Sequence, residues 1–152
     1  MGLPLETIQF SKLEGSTLDF FDFFPPDWKQ ELFPQWEALS ESTEIFILSK
    51  DASLVTLGLV FNTNFPHLSP LEKIAFKDLH SYPYIGYVYT LPEYRNQGYG
   101  KHWFKSLLEN NLMQNYWLTI ENLKLEKFYT QLEFKLWKGN PQGSDEKVFT
   151  RF

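Results

Sequence analysis

The residues best placed to do chemistry lie in one stretch, Leu91-Pro92-Glu93-Tyr94-Arg95-Asn96-Gln97-Gly98-Tyr99-Gly100-Lys101. It falls between an apolar, Tyr-rich strand pattern and an amphipathic helix pattern. The first N–H groups of a helix have no intrahelical partner, and the helix dipole puts partial positive charge on them. An anion such as a phosphate fits there. Gly98 and Gly100 lack a Cβ, so a ligand can approach the backbone closely. Arg95 and Lys101 add positive charge. Two other phosphate loops fit poorly. A dinucleotide fingerprint would need glycine where Trp103 stands, and a P-loop would need glycine at Arg95 and a hydroxyl at His102. From the glycines alone, a plain helix cap with two turn glycines fits as well as a phosphate site.

The elements that must position this stretch can be read along the chain. Residues 6–10 alternate as a first strand. Ser16-Thr17-Leu18-Asp19 resembles a capping box before a short aromatic helix that Pro25-Pro26 ends. Asp27 caps a second short helix carrying Trp28, Leu32 and Trp36, interrupted at Pro34. Residues 43–49 and 54–61 form a hairpin about the turn Lys50-Asp51-Ala52-Ser53. Ser69-Pro70-Leu71-Glu72 combines a cap, a first-turn proline and a Glu at the third position, a strong helix start. Leu71, Ile74, Ala75 and Leu79 then share a face. A strand over 82–90 precedes the Gly-rich turn. The following helix buries Tyr99, Trp103, Leu107 and Leu108. Residues 116–120 read as a central strand, Leu125, Phe128 and Leu132 as a helix, and 134–138 and 146–152 as a last pair of strands around Gly139-Asn140-Pro141-Gln142-Gly143. The order is mixed α/β with a βαβαβ unit in the second half, in one domain over residues 1–152.

Composition narrows the classes. The chain has 152 residues, of which 43% are hydrophobic and 18% aromatic. That is enough for a packed core. It has no cysteine, which removes disulfides, thiolate metal sites and cysteine catalysis. His67, His80 and His102 lack metal-ligand spacing, so no metal is expected. The net charge is -5, split as -7 over the first hundred residues and +2 over the remainder. An acidic first part argues against nucleic acid and suits a cationic substrate or simply a solvated surface. Neither a signal peptide nor a membrane span is visible, so the expectation is a cytoplasmic protein.

Arg95-Asn96-Gln97-Gly98-Tyr99-Gly100 resembles the Arg/Gln-x-x-Gly-x-Gly/Ala signature of the GCN5-related N-acetyltransferase (GNAT) superfamily. Asn122, then Phe128-Tyr129, then Phe134 resembles that family's downstream pattern, over residues 82–138. The resemblance implies a mostly antiparallel sheet with a splayed parallel pair and flanking helices. It implies acetyl-coenzyme A as co-substrate, with the pantetheine arm in the splay. Val88 and Thr90 would contact that arm through the backbone, and the Val88 N–H would polarise the thioester carbonyl. Arg95, Asn96, Gln97, Gly98, Gly100 and Lys101 would hold the pyrophosphate, and Asn122 would bond the arm. Tyr129, a phenol of ordinary pKa ~10, would protonate the leaving thiolate. A helix starting near 122 places Asn122 and Tyr129 on one face.

The general base stays open. Where some members carry Glu on the splayed strand, Tyr84 stands here; His80 near that strand, or a water chain, could serve. The glycine expected before the last Phe is Glu133, so the turn there should differ. Residues 63–80 are longer than the usual connection and should pack near the acceptor site. Asp19, Asp22 and Asp27 among the early aromatics suggest a small cationic amine or a basic peptide N-terminus as acceptor. No Gly-x-Ser-x-Gly elbow or other covalent nucleophile is present, which leaves direct attack by the amine in a ternary complex. A cofactor-binding sensor or an interaction module on the same fold is the alternative. The C-terminal strand ending at Phe152 could pair across a homodimer.

Overall fold

The computed structural model describes residues 7–14, 20–66, 68–110, 114–139 and 145–152. Seven strands form one sheet: β1 (Ile8–Lys12), β2 (Thr43–Lys50), β3 (Ser53–Phe61), β4 (Tyr84–Thr90), β5 (Tyr116–Ile120), β6 (Lys135–Gly139) and β7 (Lys147–Arg151), in the order β1-β2-β3-β4-β5-β7-β6. All neighbours are antiparallel except β4 and β5. The helices are α1 (Pro26–Leu32), α2 (Trp36–Leu39), α3 (Pro70–Leu79), α4 (Tyr99–Asn110) and α5 (Glu126–Gln131). The mixed α/β architecture expected from the sequence is the one observed. None of the described helices is long and apolar enough to cross a membrane.

The β2–β3 hairpin turns at Asp51 and Ala52, both with positive φ (50° and 69°). A tight turn matched to strand twist requires such angles. Side chains alternate across β3. Leu57, Leu59 and Phe61 pack under the N-terminal aromatics Phe20, Phe21 and Phe24 with Leu32 and Leu39. Val60 faces the opposite layer, where α4 presents Trp103, Phe104, Leu107 and Leu108. Tyr99, Trp103, Leu107 and Leu108 are all buried, as their spacing predicts.

Helix α3 covers the same face as the aromatic helices. Ser69 caps it: its Oγ accepts from the Glu72 N–H at 3.2 Å. Glu72 Oε1 in turn accepts from the Ser69 N–H at 3.0 Å, which completes a capping box. Leu71, Ala75 and Leu79 pack on Trp117 and Val148. Ile74, expected on that face, is exposed; Glu72 takes the buried place beside Leu71.

Other expectations need correction. Pro25 is the residue before α1 and Pro26 its first, so Asp27 lies inside the first turn and does not cap it. Phe20–Phe23 form a 3₁₀ turn only, and the expected capping box at residues 16–19 lies outside the described residues. So does most of the loop about Asn140. Strand β7 is hydrogen-bonded on both sides, by β5 and β6, so it has no edge to offer a second copy; the sheet's edges are β1 and β6.

Candidate active site

The Gly-rich stretch joins β4 to α4. Pro92–Tyr94 make a 3₁₀ turn, Arg95 is extended, and Asn96 and Gly98 take positive φ (62° and 84°). The first backbone bond of α4 runs from the His102 N–H to the Gly98 carbonyl at 3.0 Å. Among the described residues no backbone carbonyl accepts from the amides of Gln97, Gly98, Tyr99, Gly100 or Lys101. That is the arrangement an anion can fill. A Cβ built on Gly98 meets nothing within 4 Å, so space stands open over the turn. Arg95 is exposed, with Nε on the Thr90 carbonyl at 3.2 Å and its guanidinium over the Tyr89 ring at 5.1 Å. Gln97 bonds back to the Glu93 carbonyl at 3.2 Å. Lys101 borders a depression of about 310 Å³ with Gly98, His102 and Lys105. Thr90 Oγ1 lies 3.9 Å from a Cβ built on Gly100, so the first turn of α4 sits directly on the end of β4.

From there β4 leads back into a cleft. From Leu57 to Leu59 β3 advances two residues, while β4 advances three between their partners Tyr89 and Gly86. The extra residue is a bulge, which bends a strand away from its neighbour. Tyr87, at the bulge, has φ of 57°. That conformation costs a side-chain-bearing residue about 1–2 kcal/mol. On its other edge β4 meets β5 at one register pair, Tyr84 with Trp117, plus the Trp117 N–H on the Pro83 carbonyl at 3.1 Å. Past that point the two parallel strands part.

A cavity of about 450 Å³ fills the splay. Val88, Asn122 and Tyr129 all line it, so the structure brings these three residues together. Asn122 caps the 3₁₀ turn Leu123–Leu125 that precedes α5, its Oδ1 accepting from the Lys124 N–H at 3.0 Å. Tyr129 is held edge-on by Phe104, Phe128 and Phe134, with ring centroids 5.4 Å, 5.0 Å and 5.9 Å away. Such edge-to-face contacts suit the ring quadrupoles. Burial pushes its phenol up to about 12, so it keeps its proton at neutral pH. Its hydroxyl has no hydrogen-bond partner among the described residues, yet no enclosed side-chain polar atom there lacks one, so the hydroxyl opens onto the cavity.

The same cavity is lined by a residue whose place there the sequence pattern does not reveal. Glu72 of α3 is buried and lines the cavity. Its Oε2 accepts from the Tyr84 hydroxyl at 2.8 Å and from Thr119 Oγ1 at 3.0 Å. Burial first, then Glu72, drives the Tyr84 phenol well above its ordinary range. Thus a carboxylate carried by α3 stands beside Tyr84 of β4. Glu31 of α1 also lines the cavity, accepting from the Tyr87 hydroxyl, and Glu121 joins them. The aspartates read from the sequence do not converge here. Asp22 pairs with Lys29 at 2.6 Å, neither Asp22 nor Asp27 lines the cavity, and Asp19 lies outside the described residues. His80 caps the end of α3, exposed and away from the cavity, and His102 is exposed on α4; His67 is outside the described residues. No group of three His, Asp or Glu among the described residues could hold a metal.

The model of the acetyltransferase (GNAT) family matches residues 14–134, most of the chain. The chain belongs to the GNAT acetyltransferase family. A search of the curated proteins gives no match. Solved structures agree on the GNAT fold. An Elizabethkingia anophelis GNAT family acetyltransferase with acetyl-CoA bound superposes with a TM-score of 0.62 at 14% identity, covering 95% of this chain and 97% of that one. The ribosomal-protein-S18-alanine N-acetyltransferase from Escherichia coli gives 0.60 at 14%, covering 95% and 93%. FeeM, an N-acyl amino acid synthase from uncultured soil microbes, gives 0.62 at 14%, covering 97% and 92%.

One expected departure from the GNAT pattern is smaller than the residue change implies. Glu133 occupies the turn between α5 and β6 with φ of 70°. Glycine takes that left-handed conformation without strain. The turn closes as the Leu132 and Phe134 N–H groups both reach the Tyr129 carbonyl, each at 3.0 Å. The backbone keeps a glycine-like shape around a glutamate. That fixes the Tyr129 main chain near the end of α5. The 63–80 segment contributes Pro66 and Glu72 to the lining of this cavity.

Proposed function

We propose that the chain is an acetyl-coenzyme A-dependent N-acetyltransferase, one catalytic unit over residues 1–152, that transfers acetyl to a primary amine by direct attack in a ternary complex. The observation that carries this reading is the cavity in the β4–β5 splay, lined on β4 by Tyr84 to Val88, with the unbonded amides at the start of α4 lying beyond the C-terminal end of the same strand. A long, thin substrate with an anionic end and an acyl end matches that layout. The amides of Gln97, Gly98, Gly100 and Lys101, with Arg95 and Asn96 shaping the turn, bind the pyrophosphate. Thr90, Val88 and Asn122 line the arm.

Chemistry then falls to groups already in the cleft. The Val88 N–H donates to the thioester oxygen as negative charge builds on it, a contact worth about 3–4 kcal/mol when such a donor is removed elsewhere. Tyr129 supplies the proton that the departing thiolate takes. The acceptor is a small cationic amine or a peptide N-terminus, because the carboxylates of Glu31, Glu72 and Glu121 give the acceptor side of the cavity negative charge.

Calorimetric titration of the purified protein with acetyl-coenzyme A tests the reading. Micromolar binding is expected, lost in Gly98→Glu, whose carboxylate would occupy the open space over the turn. Absence of binding by folded wild-type protein would overturn it. Binding followed by no acetyl transfer to any amine would leave the alternative, a module that holds the cofactor without turnover.

A further inference from the structure

We infer that Glu72 is the acceptor's docking and deprotonating group: its carboxylate pairs with the ammonium of a cationic amine and takes the proton that must leave before attack. This rests on the acetyltransferase reading above and names the residue that the strand itself does not provide.

Glu72 is a buried carboxyl group with no cationic partner among the described residues. It is only 9% exposed. Among the described residues its hydrogen-bond donors are the Ser69 N–H on Oε1 and the Tyr84 and Thr119 hydroxyls on Oε2, all of them neutral. A carboxylate offers about four acceptor positions, so one remains. Among the described residues no Lys, Arg or His pairs with it. Buried carboxylates are ordinarily paired with a cation, because desolvation of a lone charge is costly. Glu72 faces a cavity of about 450 Å³ in which the other charged side chains, Glu31 and Glu121, are also acidic. Behind it, Ser69 Oγ donates to Glu146 at 2.9 Å, a further negative group. The cavity is thus the side from which a cationic acceptor reaches the carboxylate.

Position and stiffness support the same assignment. The capping box, Tyr84 and Thr119 hold the carboxylate from three elements, so it meets the acceptor preorganised. The cavity places Tyr129 on α5 and Glu72 on α3 in one enclosure, acid and base from separate helices. The protons balance. An ammonium gives one proton to Glu72, which passes it to solvent. The free amine attacks the thioester carbon, forming C–N as the carbonyl π bond opens. Collapse breaks C–S, the thiolate takes the Tyr129 proton, and the second amine proton restores Tyr129. The products are an amide, coenzyme A and one released proton.

The test is Glu72→Gln, which preserves the shape and the capping box. The probes are spermidine and a lysine-rich hexapeptide with a free N-terminus, titrated into coenzyme A-loaded protein and assayed with acetyl-coenzyme A. Expected are unchanged acetyl-coenzyme A affinity, a Tm equal to or above wild type because a buried charge is gone, probe binding at least tenfold weaker, and kcat/KM lower by about 100-fold. Wild-type binding and turnover in Glu72→Gln would overturn the assignment. Wild-type protein that binds acetyl-coenzyme A but neither probe would also overturn it while leaving the acetyltransferase reading intact; failure to bind acetyl-coenzyme A sinks that reading instead. Where Glu72→Gln does not fold, Tyr84→Phe removes one donor and keeps the charge. Several-fold weaker probe binding is then expected, and unaltered binding is the overturning result.

Discussion

The indole of Trp103 occupies the space where Gly58 would carry a side chain: a Cβ built on Gly58 runs into Trp103 Cζ2. The indole N–H continues past β3 to the Phe46 carbonyl at 3.0 Å, so one side chain ties α4 to β2 and β3. Trp103 is fully buried. Gly58→Ala must push the ring aside against a packed layer, and overpacking of this kind costs about 1–3 kcal/mol. A lower urea midpoint with an unchanged slope is expected. Because α4 also presents the Gly-rich turn, acetyl-coenzyme A affinity should fall in the same variant. Wild-type stability in Gly58→Ala would show that the ring has room to move.

Glu133 gives a stability prediction of the opposite sign. Its φ is 70°. A non-glycine residue held there is strained by about 1–2 kcal/mol, while glycine gives back part of that in unfolded-state entropy. The ion pair with Arg151, at 3.0 Å, leaves the Glu133 side chain 78% exposed. Little is lost with so exposed a pair. Glu133→Gly should therefore be more stable than Glu133→Ala by roughly 1 kcal/mol. Equal denaturation curves for the two variants would mean that the turn relaxes.

Much of the fold is legible in the residues, and what is not legible has a physical cause. Helix α4 is legible because Tyr99, Trp103, Leu107 and Leu108 repeat at helical spacing and one face is enough to define it. The Gly-rich turn is legible because Gly98 answers a local backbone requirement. Helix α3 is legible as well, yet its Glu72 reads only as the third residue of a capping box. Its second role depends on Tyr84 and Thr119, which are distant in sequence and meet it only through tertiary packing. Ile74 is misplaced for the same reason: its spacing fits the buried face, but the carboxylate takes the inward position. The acidic lining does not come from the aspartates near the early aromatics, because composition says that carboxylates cluster and cannot say which way they turn. The bulge at Tyr87 has no local signal, since a tyrosine with positive φ is held by its surroundings and not by preference.

Tyr129 carries a prediction in two parts. As proton donor to the thiolate, its loss in Tyr129→Phe should lower kcat by about 100-fold with acetyl-coenzyme A affinity kept. Stability gives an independent readout. The folded phenol is raised from the ordinary 10.0 to about 12 by burial. A raised pKa means that the folded state holds the proton more tightly than the unfolded one. Its stabilising share is complete below pH ~10 and disappears as pH climbs towards ~12. Wild-type protein should lose stability across that alkaline window more steeply than Tyr129→Phe, as followed by thermal melts. Parallel losses in the two would mean that the phenol is solvated.

Gly86 tests the proposed acceptor wall without replacing a charged group. A Cβ at Gly86 falls 2.8 Å from Cε1 of the Tyr84 ring, close enough to force the ring to move. That ring carries the hydroxyl that holds Glu72 at 2.8 Å. It also lies against Trp117, with centroids 4.7 Å apart, at the one point where β4 and β5 still pair. Gly86→Ala should therefore displace the Tyr84 hydroxyl by enough to break or lengthen its bond to Glu72. The Gly-rich turn, proposed to bind the pyrophosphate, lies at the other end of β4 and is untouched. The expected result is a several-fold rise in KM for the amine with acetyl-coenzyme A affinity within twofold of wild type, the two binding surfaces behaving as separate sites. A matching loss of acetyl-coenzyme A affinity would instead mean that the splay itself has closed, and that Tyr84 acts as the wedge that keeps the two parallel strands apart.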